Sequence, residues 1–156
     1  MPAVPTHSAT RFVPAPVGAV WPVVSEASRL PDWCSFADRV DVVSGSGVGQ
    51  LRLARALLDG GRRQEVDQEV VEFEPGARVA WRQLAERVED APAPVRATGV
   101  VFRVVLAPEG DGTRVRFETS RTPVGLGNLL ALHLFGGPRL TRTLDESLVR
   151  LTRSLA

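Results

Sequence analysis

Residues 69–81 read Glu69-Val70-Val71-Glu72-Phe73-Glu74-Pro75-Gly76-Ala77-Arg78-Val79-Ala80-Trp81. Proline followed by glycine is tight-turn chemistry, because proline presets one dihedral and glycine accepts the positive φ of the next. On either side the apolar residues alternate with polar ones, the period of a half-buried strand. The stretch therefore predicts an antiparallel hairpin of Gln64 to Phe73 and Arg78 to Leu84.

Working outward, the same period recurs. Upstream, Leu51, Leu53 and Leu57 alternate with Arg52 and Ala54, and Asp59-Gly60-Gly61 joins that strand to the hairpin. Before it, Val40 and Val42 flank Asp41, and Ser44-Gly45-Ser46-Gly47 makes a turn. Downstream, Glu86 to Arg96, with Pro92 and Pro94, reads as a loop or a strand extension ending in one. Thr98 to Leu106 and Thr113 to Arg121 are strands joined at Pro108-Glu109-Gly110-Asp111-Gly112. Thr6 to Val13 supplies a further strand at the start.

Helical spacing appears in only two places. After Pro14-Ala15-Pro16, the residues Val17, Val20, Trp21 and Val24 form a stripe that Pro22 should kink or shorten. A second short helix is expected over Leu30 to Phe36, with Ser28 as a possible N-cap. At the far end, Leu140, Leu144, Leu148, Leu151 and Leu155 form one face of a long helix. Carried backward, that stripe reaches His133 or Leu134, then Leu130 and Leu126, and Gly136-Gly137-Pro138 should kink or interrupt it. Strands in a run with helices segregated at the ends define an α+β fold. About seven antiparallel strands should curve around the terminal helix and leave a cavity, all within a single domain, 1–156.

Composition narrows the chemistry. The 156 residues carry 19 basic and 18 acidic groups, a net charge of +1. Every basic residue is arginine, and tyrosine is absent. Schiff-base catalysis, a pyridoxal-phosphate linkage and a Walker lysine are excluded with lysine, and a phenolic acid with tyrosine. One cysteine (Cys34) and two histidines (His7, His133) make a dedicated zinc site hard to assemble, so neither metal nor cofactor is expected. A balanced charge argues against nucleic acid and against electrostatic membrane binding. Met1-Pro2-Ala3-Val4-Pro5 lacks the basic and apolar regions of a leader, and Pro123 to Pro138 is too broken for stable membrane insertion. A cytoplasmic monomer or homodimer is the expectation.

Several stretches together resemble the helix-grip superfamily called SRPBCC or START-like, in its polyketide cyclase/dehydrase and lipid-transport group. Phe12-Val13-Pro14-Ala15-Pro16-Val17-Gly18-Ala19-Val20-Trp21 is similar to that family's opening strand and helix start, and Leu30-Pro31-Asp32-Trp33 to its second helix. The 69–81 hairpin, Gly112-Thr113-Arg114-Val115-Arg116-Phe117 and the leucine stripe resemble its central hairpin, last strand and gripping helix. The resemblance implies an internal cavity for apolar or aromatic ligands. Aromatase/cyclase members orient a polyketide there with arginine, serine, tyrosine and tryptophan; the missing tyrosine puts tyrosine-assisted proton transfer out of reach. These motifs are turn and core signals, so they specify the fold more than a reaction.

If the apolar member of each alternation points inward, the polar groups that accompany it are few: Arg55, Gln64, Gln68, Gln83, Thr119 and Arg121. A slip of one residue would invert any one strand. Arg55 and Arg121 either bind a ligand carboxylate or enolate, or pair with an acid at the sheet rim. His133 is the candidate general base, or else is covered by the second short helix or points to solvent; His7 is read as surface. Trp81, Phe102, Phe117 and Leu130 are expected as cavity wall. Trp33 and Phe36 either close over a ligand or dock their segment onto the sheet, and Cys34 reads as a small buried residue. Two functions fit: a polyketide cyclase or dehydratase with Arg55, Arg121 and His133 as its catalytic set, or a non-catalytic carrier or sensor for a lipid or hydrophobic metabolite. The apolar segment from Leu126 to Phe135 offers a third, as a surface for a protein partner.

Overall fold

A computed structural model describes residues 5–156; the leader reading of Met1 to Val4 lies outside the described residues. The strands are β1 (Thr6–Val13), β2 (Arg39–Ser44), β3 (Leu51–Leu57), β4 (Arg63–Glu74), β5 (Arg78–Val88), β6 (Ala91–Pro92), β7 (Ala97–Glu109) and β8 (Gly112–Pro123). They form one antiparallel sheet in the order β1-β8-β7-β5-β4-β3-β2, with the two-residue β6 paired to β5. Between β1 and β2 run α1 (Val17–Ser25) and a 3₁₀ helix, Ala27–Asp32. The chain ends in α2 (Gly125–Ala131), a π-helical turn (Leu132–Gly136) and α3 (Gly137–Ser154).

The hairpins follow their turn chemistry. At the β4–β5 turn the Ala77 amide donates to the Glu74 carbonyl at 2.9 Å, and Gly76 has φ +76°. Proline then glycine at the two central positions is the type II arrangement. The β5–β6 turn has no such signature. Glu89 and Asp90 both hold positive φ, 52° and 64°, as a two-residue type I′ loop requires. Without a glycine the loop needs side-chain help. Glu89 accepts the Arg63 backbone N–H, and the Arg63 guanidinium bridges Glu89 and Asp90. That is why β5 continues to Val88, the strand extension that is one of the two readings of Glu86 to Arg96.

The leucine stripe grips the sheet as expected: Leu144, Leu148 and Leu151 are fully buried. The segment before it departs from expectation. Pro138 has no N–H and its ring would crowd the carbonyl four residues earlier. The helix accommodates it by widening into the π turn, where the Gly137 N–H donates to the Leu132 carbonyl, and the rod continues without a break. Leu126, Leu130, Leu134 and Phe135 are exposed on it, so the buried stripe does not extend back beyond Leu140. The second short helix also starts earlier than expected, at Ala27, and is a 3₁₀ helix flanked by Glu26, with Ser28 inside it.

Register decides which side chains face inward. On β4 and β5 the inner set is Gln64, Val66, Gln68, Val79, Trp81 and Gln83, as the alternation predicts. β3 is inverted. Arg52 pairs with Gln68, and Ala54 with Val66, across β3 and β4; both β3 residues are buried, whereas Arg55 is exposed. Leu51 and Leu53 lie half-buried on the outer side. That outer face is a lattice of arginine–carboxylate pairs: Arg55 with Asp41 and Glu65, Arg87 with Asp67, Arg82 with Glu69, and Arg103 with Glu72 and Glu118. Exposed pairs of this kind contribute little each, about 0–1 kcal/mol.

Candidate ligand cavity

The sheet opens where two neighbours part. β5 and β7 pair only from Arg78 to Arg82 and from Val101 to Val105. Beyond that, β5 turns to β6 and β7 stays with β8 alone. A cavity of about 1000 Å³ occupies this divergence, bounded by both strands, the β6–β7 connection and the inner face of β3 and β4. Leu30 of the 3₁₀ helix and Cys34, Phe36 and Ala37 of the segment that follows it cover the cavity.

Aromatic rings form its deep wall. Trp81 and Phe102 stack at 5.9 Å with an interplanar angle of 16°, and Phe36 packs on Phe102 at 4.9 Å. Gln64, Gln68 and Gln83 also face the space. Phe117 and Thr119 sit behind this wall, buried. Phe117 supports Phe36 and Trp81 by ring contact, while Thr119 donates to the Val101 carbonyl at 3.0 Å. Trp33 resolves in favour of docking. It is fully buried against Phe117, and its indole N–H donates to the Val23 carbonyl at 3.1 Å. Cys34 is buried at the cavity lining, and desolvation pushes its thiol up to about 12.

Of the three residues expected to do chemistry, only Arg121 turns its charged group to the cavity. Arg55 borders the space, but its guanidinium is held by Asp41 and Glu65 on the outer face. His133 and Leu130 are exposed on the helical rod and line none of the cavity. Both corrections have one cause. The sequence places residues on a strand or a helix, but packing decides the face, and among the described residues none covers His133 or Leu130.

The histidine on the inner side is His7. It pairs in register with Thr119, and its Nδ1 is buried without a hydrogen-bond partner. A Cβ built at Gly137 would stand 2.7 Å from Nε2 of His7, so the glycine is what admits the ring. Burial, and then the charge of Arg121, hold His7 below the ordinary histidine pKa of 6.5. Arg52 is the other residue missed. Its guanidinium is buried, donates to the Ser25 carbonyl at 2.9 Å and to Gln50 at 2.7 Å, and is lowered to about 10 by desolvation. Only the inverted face of β3 reveals it, and no local pattern signals that.

Residues 5–156 match the family described as polyketide cyclase/dehydrase and lipid transport. The chain belongs to that family. Its fold is shared with a Thermus thermophilus protein, TTHA0849, at 18% identity and TM-score 0.74, covering 97% of each chain. Ara h 8.0201 is similar at 14% identity and TM-score 0.71, covering 98% of each. DynU16, from the dynemicin biosynthetic locus, matches at 19% identity and TM-score 0.65, covering 99% of this chain but 48% of that one. At such identities the likeness establishes the helix-grip architecture and no more. No curated protein matches the chain. Among the described residues no helix is long and apolar enough to cross a membrane.

Proposed function

We propose that this member of the family, as a single domain, binds a hydrophobic or aromatic small molecule in the cavity between β5 and β7. One observation carries the reading: a space of about 1000 Å³ walled by Trp81, Phe102, Phe36 and Val66, with the amides of Gln64, Gln68 and Gln83 and the charged groups of Arg62, Arg96, Arg121 and Glu86 placed around it. Apolar walls with a few placed polar groups are the usual anatomy of a small-molecule site. The balanced charge supports a partner that is not nucleic acid, and the lone buried cysteine is compatible with a cytoplasmic monomer or homodimer.

Holding and releasing the molecule, as a carrier or sensor, is the simpler use. The lining offers one carboxylate, Glu86, and Gln64 already donates to it at 2.6 Å. A reaction of cyclase or dehydratase type is favoured by a single feature, the neighbouring Arg121 and His7. There the guanidinium would polarise a carbonyl oxygen. Rate enhancement would otherwise come from holding a flexible chain in a reactive conformation.

Native mass spectrometry of freshly purified protein should reveal a co-purified small molecule. Titration with the neutral fluorophore N-phenyl-1-naphthylamine should saturate, and Ala56→Trp, which fills the space beside Gln64, should weaken binding at least about tenfold. Binding indifferent to that filling would overturn the cavity as the site.

A further inference from the structure

Most arginines of this sheet have a carboxylate; three at the cavity do not. Arg62, Arg96 and Arg121 line the space, and among the described residues none of the three forms an ion pair. Arg121 is the deep one. It lies opposite a bulge in β7 between Thr98 and Val101, where Gly99 has φ +60°. Such an extra residue bends the strand and re-aims its neighbours. The Arg121 Cζ sits 5.9 Å from the centroid of the Phe102 ring, and its Nη2 donates to Thr119 at 3.0 Å. Its Nε is buried with no partner.

A guanidinium partly withdrawn from water without a counter-charge is costly, and none of the described residues forms an ion pair with Arg121. Phe102 offsets part of this through its ring face. The remaining donor calls for an acceptor, and a planar fork of N–H groups suits a carboxylate above all. Gln68 Oε1, an acceptor of the lining that is also buried without a partner, belongs to an amide that can turn to donate instead. Glu86, the one acid on the wall, is occupied by Gln64.

We propose that the ligand is an aromatic carboxylate, its ring lying along the Trp81–Phe102 stack and its carboxylate paired with Arg121. The proposal rests on the cavity reading above and goes beyond it by naming the head group. Arg62 and Arg96, at the outer lining, attract the same anion toward the opening.

The test is a matched pair of probes, 2-naphthoate and its neutral methyl ester, titrated into the wild-type protein and into Arg121→Gln and Arg121→Lys. In the wild type the acid should bind about tenfold tighter than the ester, the size of one charge-assisted pair. Arg121→Gln should bring the two within about twofold of each other, with its thermal unfolding curve as the folding control. Arg121→Lys should retain part of the preference. Independently of any variant, the Nε–H resonance of Arg121 in the wild type should move with the acid and not with the ester. Ester and acid binding equally to the wild type, a preference that survives Arg121→Gln, or an Nε–H signal blind to the acid would overturn the carboxylate and leave the cavity standing. Failure of both probes to bind would overturn the cavity reading together with this one.

Discussion

Arg52 donates its Nη2 hydrogen to the carbonyl oxygen of Ser25 at 2.9 Å, tying the start of β3 to the last residue of α1. Nε of the same guanidinium reaches Gln50, and Nη1 is buried without a partner. A buried cation used as a structural clamp makes a specific demand. Arg52→Ala leaves the Ser25 carbonyl unpaired and opens a void, and should cost about 2–4 kcal/mol in urea unfolding. Arg52→Met leaves the same carbonyl unpaired but keeps most of the volume, and should cost about 1–2 kcal/mol. Equal losses from the two would mean that the clamp acts through charge alone.

Trp33 holds the covering segment down from the inside. Trp33→Phe removes the indole donor to Val23 and should lower stability by about 1 kcal/mol, whereas Trp33→Ala should lower it by about 3–5 kcal/mol. If Trp33 instead closed over ligand, Trp33→Phe would change probe affinity more than it changed the unfolding midpoint.

The Cys34 thiol, raised to about 12 by burial, is almost wholly protonated near neutrality and therefore unreactive. Iodoacetamide at pH 8 should leave the native protein unlabelled over a period in which the urea-unfolded chain is fully alkylated. Rapid labelling of the native state would show that the covering segment opens readily.

His7 sets a pH dependence with a definite sign. Its pKa is lower in the folded state than in the unfolded chain, through burial and then Arg121. The unfolded state consequently binds more protons as pH falls, and stability falls with it. The contribution is whole above the ordinary histidine pKa of 6.5 and is lost as pH drops through and below that value. Unfolding free energy measured at about pH 5.5 and 7.5 should show a wider gap in the wild type than in His7→Gln. A gap unchanged in His7→Gln would place the pH sensitivity elsewhere.

Gly112 closes the β1–β8 pairing under a backbone. A Cβ there would lie 2.5 Å from the Val13 carbonyl oxygen and equally close to the Phe12 ring. The ring can swing away but the carbonyl cannot. Gly112→Ala should therefore destabilise by about 2–3 kcal/mol, seen as a lowered Tm, an effect of overpacking. A neutral Gly112→Ala would mean that β1 can shift freely along β8.

Strands and their order were legible in local signals. Pro75-Gly76 and the glycine turns punctuated the chain at the right places, and the terminal leucines marked the buried face of α3. The resemblance carried by the opening segment, the 69–81 hairpin and the leucine stripe named the family. The wall residues Gln64, Gln68, Trp81, Gln83 and Phe102 followed from alternation, because on β4, β5 and β7 the larger apolar residues do face inward.

By itself, then, the sequence determined most of what depends on neighbours along the chain: strand periodicity, the glycine turns, the leucine stripe of α3, and an inventory without lysine or tyrosine. Tertiary structure alone decided what depends on neighbours across it. On β3 the small Ala54 turned inward and the leucines out, because the register with β4 places Ala54 beside Val66 and Arg52 beside Gln68. His7 took the inner place expected of His133, because pairing with β8 sets it beside Thr119 while the rod carrying His133 is left uncovered. The cavity itself opens where β5 and β7 cease to pair. An alternation pattern records that one face of a strand is apolar; which face meets the core is set by hydrogen-bond register with a strand tens of residues away.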